Sequence, residues 1–98
     1  MNHILINYSV KEEWAAYNRK LIEDFIQQLR DYPVPGISYS AYKIGKASFI
    51  HICHYSTAPL CEEVTNRPTF KHFLKTLENI VDQEPIVNDI KEIGYFSK

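Results

Sequence analysis

The stretch ISYSAYKIGKASFIHICHY, residues 37–55, decides the fold. Two runs rich in β-branched and aromatic residues, Ile37 to Ile44 and Ser48 to Tyr55, flank Gly45-Lys46-Ala47, a connection of the length and composition that hairpins favour. The stretch predicts two antiparallel strands in the middle of the chain. Just before it, Pro33-Val34-Pro35-Gly36 ends any preceding helix by removing amide donors and fixing φ.

Upstream, Trp14, Tyr17, Leu21, Phe25 and Leu29 recur at three- and four-residue steps between Glu12 and Tyr32, which places them on one face of a helix turned to the core. Ser9-Val10-Lys11-Glu12 fits a capping box at its start. His3 to Ser9, short and apolar on both sides of the alternation, reads as a central strand. Downstream, Thr57 with Pro59 suits the start of a short helix of one or two turns. Pro68 opens a second long helix, with Phe70, Phe73, Leu74, Leu77, Ile80 and Val81 as its buried stripe, ending before Pro85. Ile86 to Phe96 gives the last strand, with Gly94 as a candidate bulge. The order strand, helix, strand, strand, helix, strand predicts an α+β, ferredoxin-like domain over residues 1–98: a four-stranded antiparallel sheet with helices on one face. Several residues that would point to the other face are apolar, and leaving them wet costs about 25 cal/mol per Å², so a second copy is expected to cover them.

Bulk properties narrow the function. A formal charge of -1 with scattered Lys and Arg argues against nucleic-acid binding, which needs clustered positive charge. No apolar run approaches the roughly 18 residues of a membrane span, and the first residues lack a secretory plan, so a cytoplasmic location is expected. Two cysteines are too few for a disulfide framework. No nucleophile elbow, phosphate-binding glycine loop or HExxH occurs, which removes the hydrolase, kinase and dinucleotide classes.

Pro35-Gly36-Ile37, Phe49-Ile50-His51-Ile52 leading to Tyr55-Ser56, Arg67-Pro68-Thr69-Phe70-Lys71-His72-Phe73 and the closing Ile93-Gly94-Tyr95-Phe96 together resemble the antibiotic-biosynthesis-monooxygenase-like family of dimeric α/β barrels. The resemblance covers nearly the whole chain in order and spacing, and its elements are structural: a turn, a strand, a helix start. It implies a homodimer through the open sheet face, helped by the last strand, and a pocket between sheet and helices in each protomer. Members include cofactor-independent monooxygenases of polycyclic aromatic substrates, haem-degrading monooxygenases, and small proteins with no assigned chemistry. The haem-degrading members use an Asn on the first strand, a Trp on the third and a His on the second long helix. Asn7 matches the first, whereas His54 and Leu74 stand where the Trp and the His would be, so two of the three residues depart from the haem-degrading pattern.

The candidate site follows. Asn7 lies mid-strand among apolar residues, where an amide is disfavoured unless its hydrogen bonds are met. His54 shares a strand face with Ile50 and Ile52; if those point to the helices, it looks into the same pocket as Asn7 and can exchange a proton near neutral pH. Trp14, Tyr17, Tyr42, Phe70, Phe73 and Leu74 would wall a site for a flat hydrophobic molecule, with core packing as the plainer role of each. His51 and Cys53 alternate to the other face; without further ligands at recognisable spacing no metal is expected, and they read as dimer-contact packing. No cofactor is expected. Three functions remain open: a small monooxygenase using Asn7 and His54, a non-catalytic ligand-binding or interaction module of the same fold, or, least favoured, a haem-binding or haem-degrading protein.

Overall fold

A computed structural model describes residues 2–98. Strand β1 (Asn2–Val10) leads through a single 3-10 turn (Glu12–Trp14) into helix α1 (Ala15–Asp31), and the hairpin strands β2 (Ile37–Ile44) and β3 (Ser48–Tyr55) follow. Helices α2 (Ala58–Thr65) and α3 (Pro68–Ile80) then precede β4 (Val81–Ile90). The strands form one antiparallel sheet in the order β2-β3-β1-β4, the α+β ferredoxin-like arrangement expected from the sequence. Among the described residues no helix is long and apolar enough to cross a membrane.

The hairpin closes as its sequence predicts. Ile44 pairs with Ser48 across the loop, and Gly45 supplies the positive φ of 61° that the tight turn requires. Gly36, at φ 87°, turns the chain into β2 where an added Cβ would lie 2.8 Å from Leu60 and 2.9 Å from Ser56. Two apolar clusters fill the layer between sheet and helices. Tyr8, Val10, Leu21, Ile22, Phe49, Phe73, Leu77 and Ile80 form the larger, and Phe25, Val34, Val64 and Phe70 the smaller.

Three expectations are corrected. Ser9 remains in β1 and the residue before the helical turn is Lys11, with no side-chain cap. The start is held instead by backbone bonds from Val10 to Ala47 and from Lys11 to Ile80, each 2.9 Å, so tertiary contacts replace a capping box. The inward face of α1 differs from the expected stripe. Ala15, Asn18, Leu21, Ile22 and Phe25 are buried, whereas Trp14 and Tyr17 are 41% and 44% exposed and stack edge-on against each other. At about 100° per residue, Tyr17 lies a quarter-turn or more from Asn18, outside the buried arc.

The last strand is displaced as well. It begins at Val81 directly after α3 and ends at Ile90, opposite His3, because β1 offers no partner beyond its own first residues. Its irregularity sits where the register against β1 shifts, around Pro85, which has no amide proton to give a ladder, and not at Gly94. Residues 91–98 have no regular structure, with Ile93, Tyr95 and Phe96 exposed.

Candidate functional site

Strand alternation assigns each side chain of the sheet to a face, and here it reverses the expected assignment. Tyr8, Val10, Phe49, His51 and Cys53 are buried on the helix side. Asn7, Ile50, Ile52 and His54 therefore lie on the open face, as does Tyr42, the register partner of Ile50.

Under the helices, four polar side chains from three strands and one helix join end to end. The Asn18 amide on α1 donates to the Tyr8 hydroxyl at 2.9 Å. Tyr8 bonds His51 Nε2 at 2.8 Å, and Tyr39 on β2 bonds His51 Nδ1 at 2.7 Å. Asn18 and His51 are 0% and 1% exposed, and Tyr8 is equally deep. Aromatic rings enclose them: Phe73 stacks on His51 with centroids 5.4 Å apart, Phe49 stacks on Tyr8 at 5.7 Å, and Phe25 meets Tyr39 edge-on at 5.0 Å.

Burial sets the protonation states. Desolvation disfavours charge, so the His51 pKa falls from 6.5 to about 4, and both phenols are pushed well above their ordinary value. At neutral pH these four groups are uncharged, and the direction of the two His51 bonds follows from which ring nitrogen carries the proton. With the proton on Nδ1, Tyr8, which accepts from Asn18, donates to Nε2, and the ring donates to the Tyr39 oxygen, leaving the Tyr39 hydroxyl proton free for another acceptor. With it on Nε2, the ring donates to Tyr8 and Tyr39 donates to Nδ1. His51 is a weak base here, so the arrangement suits a polarised hydroxyl donor rather than a group that strips protons, much as a neutral imidazole polarises a carbonyl elsewhere. Asn18 Oδ1 and Thr69 Oγ1 are buried without a partner.

Tyr39 also lines a groove of about 250 Å³ with Ile26, Leu29, Arg30, Pro33, Val34 and Ile37, and so links the buried chain to the surface. A neighbouring cleft of about 390 Å³ between α1 and β2 has Ile22, Ile26, Ala41 and Phe49 among its walls, with Arg19, Glu23 and Lys43 beside them. Near the same layer, burial and the neighbouring Cys61 thiol push the Cys53 thiol up to about 11, which keeps it protonated and unreactive.

The residues expected from the sequence divide. Phe70 and Phe73 are buried beside the chain, Phe73 against both Tyr8 and His51. Asn7 is exposed on the open face, opposite Ile50, while His54 lies four residues further along β3, about 13 Å away by strand rise, and contacts His3. Asn7 and His54 are thus neither together nor facing the helices. Tyr42 is 57% exposed, and Leu74, 43% exposed, belongs to a separate groove between α3 and β4 with Leu77, Val81 and Pro85. His51 and Cys53 face the helices and not a dimer contact. Among the described residues, no group of three or more His, Cys, Asp or Glu could hold a metal ion. Tyr8, Asn18 and Tyr39 were not singled out as a site. The available signal was that Phe49, His51 and Cys53 alternate as a set, so a buried Phe49 brings His51 in with it.

No family model matches the sequence, and no curated protein matches it. Solved structures do match in shape. An antibiotic biosynthesis monooxygenase superposes with a TM-score of 0.81 at 13% identity, covering 96% of this chain and 100% of that one. A protein from Mycobacterium tuberculosis gives 0.80 at 13%, covering 98% of each chain. A conserved protein from Methanosarcina mazei gives 0.78 at 15%, covering 93% and 91%. At such identities shared geometry is the finding, and the chain has the antibiotic biosynthesis monooxygenase fold.

Proposed function

We propose that the chain is a monooxygenase-like protein that binds a flat apolar molecule carrying a carbonyl or hydroxyl group, and that it works as a homodimer. The observation that carries this reading is the hydrogen-bonded chain Asn18-Tyr8-His51-Tyr39, whose last residue also lines a groove with Ile26, Leu29, Arg30, Val34 and Ile37. Three buried polar groups joined to the partly buried Tyr39 are a costly way to fill a core, because each must be satisfied to avoid a desolvation penalty of about 1–3 kcal/mol. Tyr39 would hold the ligand oxygen, with Ile26, Leu29, Val34 and Ile37 against the flat apolar part. An electron-rich aromatic ligand can itself reduce oxygen, one atom entering the product and the other leaving as water. The Tyr39 proton would then stabilise negative charge developing on the ligand oxygen.

The homodimer is supported by the open sheet face. Leu5, Ile50, Ile52 and Ile90 are only partly covered there, and Tyr42, Ile44 and Ile86 are more than half exposed. Exposed apolar side chains grouped on one sheet face support an interaction surface there. The low basicity of His51 favours a second reading in which the groove binds its ligand without turnover.

Thermal shift and oxygen uptake with a panel of tricyclic phenols and hydroquinones test the site. A ligand should raise the melting temperature of the native protein, with the shift reduced and any oxygen uptake lost in Tyr39→Phe. Absence of a shift across the panel, or an undiminished response in Tyr39→Phe, overturns it. Sedimentation tests the dimer: the native chain should be dimeric at tens of micromolar (a working range set by ordinary interface affinities) and Ile52→Lys monomeric.

A further inference from the structure

We infer that the molecule held by Tyr39 is an elongated apolar acid, and that its anionic end is read by Lys43 and Arg19 at the far end of the gap between α1 and β2. This rests on the ligand reading of the Tyr39 groove and adds a charge and a length to it. The groove at Tyr39 and the cleft beside Phe49 follow one another along both elements and meet at Ile26. On one wall, Arg19, Ile22 and Ile26 recur at three- and four-residue steps of α1, which sets them on one stripe. On the other, Tyr39, Ala41 and Lys43 alternate onto the helix side of β2: Tyr39 bonds His51, and Ala41 and Lys43 are the register partners of His51 and Phe49. Four residues of strand put Lys43 about 13 Å from Tyr39.

The stretch between is apolar and the far end is cationic. Ala41 is the smallest side chain on this part of β2, and over it lies the cleft of about 390 Å³ walled by Ile22 and Phe49, a space that apolar surface fills best. Lys43 and Arg19 stand beside it. Among the described residues Lys43 has no carboxylate partner, and Arg19 meets only Glu23, at 4.0 Å, with both side chains more than half exposed. Glu23 lines the same cleft, so its walls carry two cations and one anion, a balance that favours a single negative charge on the ligand. A carboxylate there takes a charge-assisted hydrogen bond from the Lys43 ammonium. Arg30, the cation nearer Tyr39, donates to Gln27 at 3.4 Å, and an acid short enough to end on it would leave the larger cleft empty.

Fluorescence titration of the full native chain with 6-hydroxyanthracene-2-carboxylate and with its methyl ester separates charge from shape. The acid should bind about tenfold tighter or more, the worth of one charge-assisted hydrogen bond. Lys43→Gln should remove most of that preference by weakening the acid and not the ester, Lys43→Arg should keep it, and Arg30→Gln should keep it whatever happens to the two affinities together. Ala41→Leu should weaken both long probes more than 2-naphthol, which needs only the Tyr39 end. Equal binding of acid and ester by the native chain, or a preference lost in Arg30→Gln and kept in Lys43→Gln, overturns the acid end while the Tyr39 reading stands; failure of both long probes and of 2-naphthol to bind overturns the two together. Should Lys43→Gln not fold, the native chain still decides: added salt should erode the advantage of the acid over the ester, and a preference indifferent to salt refutes a cationic end.

Discussion

Burial of His51 as a neutral ring makes the stability of this fold depend on pH in a defined window. In the unfolded chain the imidazole titrates at its ordinary 6.5, and in the folded chain at about 4. Between those values the unfolded state binds a proton that the native state refuses, so stability rises with pH across the window and falls as pH drops through it. The full gap corresponds to about 3 kcal/mol at 1.36 kcal/mol per pKa unit, of which about 2 kcal/mol is already lost by pH 5. For a small domain with about 5–15 kcal/mol in total, that is a large share. Urea unfolding of the native chain and of His51→Leu at pH 7.5 and at pH 5 isolates the effect. The variant is destabilised at both pH values, because Tyr8 and Tyr39 lose their partner, but the other histidines and the carboxylates are common to both proteins. The native chain should therefore lose about 2 kcal/mol more than the variant on acidification, taking the unfolded imidazole as reference. Equal losses in the two proteins would show that His51 is not the buried neutral group the geometry makes it.

Two further outcomes are expected. Removing the Tyr8 hydroxyl leaves the Asn18 amide and His51 Nε2 without their partner, so Tyr8→Phe should cost about 2–4 kcal/mol in urea unfolding, whereas Tyr8→Phe with Asn18→Leu should recover part of that loss; strictly additive losses would mean that the pair is not coupled. Gly36→Ala should destabilise by about 1 kcal/mol or more, since the position has φ 87° and the new methyl would press on Leu60 and Ser56, and a gain in melting temperature would contradict the turn geometry.

The element order was legible because its punctuation is local. Gly45, the Pro33 to Gly36 stretch and Pro68 each act through their own backbone, and helices and strands begin or end beside them. The faces were not legible for the same elements. On β3, Phe49 and Cys53 alternate with Ile50 and Ile52, and on β1, Ile4 and Ile6 alternate with Leu5, so hydrophobicity is nearly equal on the two sides and carries no label for the core. In α1 the apolar stripe favours Tyr17 over Asn18 by hydrophobicity alone. What brings Asn18 inward is the Tyr8 hydroxyl on another element, a partner no local window contains. The end of β4 was misplaced for a related reason: Ile93, Tyr95 and Phe96 have strand-forming side chains, but a strand ends where its neighbour does, and His3 is the last residue of β1 that β4 meets in register.

The same even-handed hydrophobicity explains how polar residues came to be divided. A sheet apolar on one face needs polar groups only on the other, whereas this sheet carries histidines on both, in different company. On the helix side His51 is enclosed by Phe73, Tyr8 and Tyr39, fully bonded and held neutral. On the open side His54 meets the His3 ring edge-on and lines an open cavity together with Asp89 and Glu92. The first environment holds the ring neutral between two phenols, one of which lines a groove; the second leaves its ring beside an open cavity. Substituting His51 should therefore alter folding stability and the Tyr39 groove, whereas substituting His54 should leave the groove unchanged, because the two side chains leave β3 on opposite faces of the sheet.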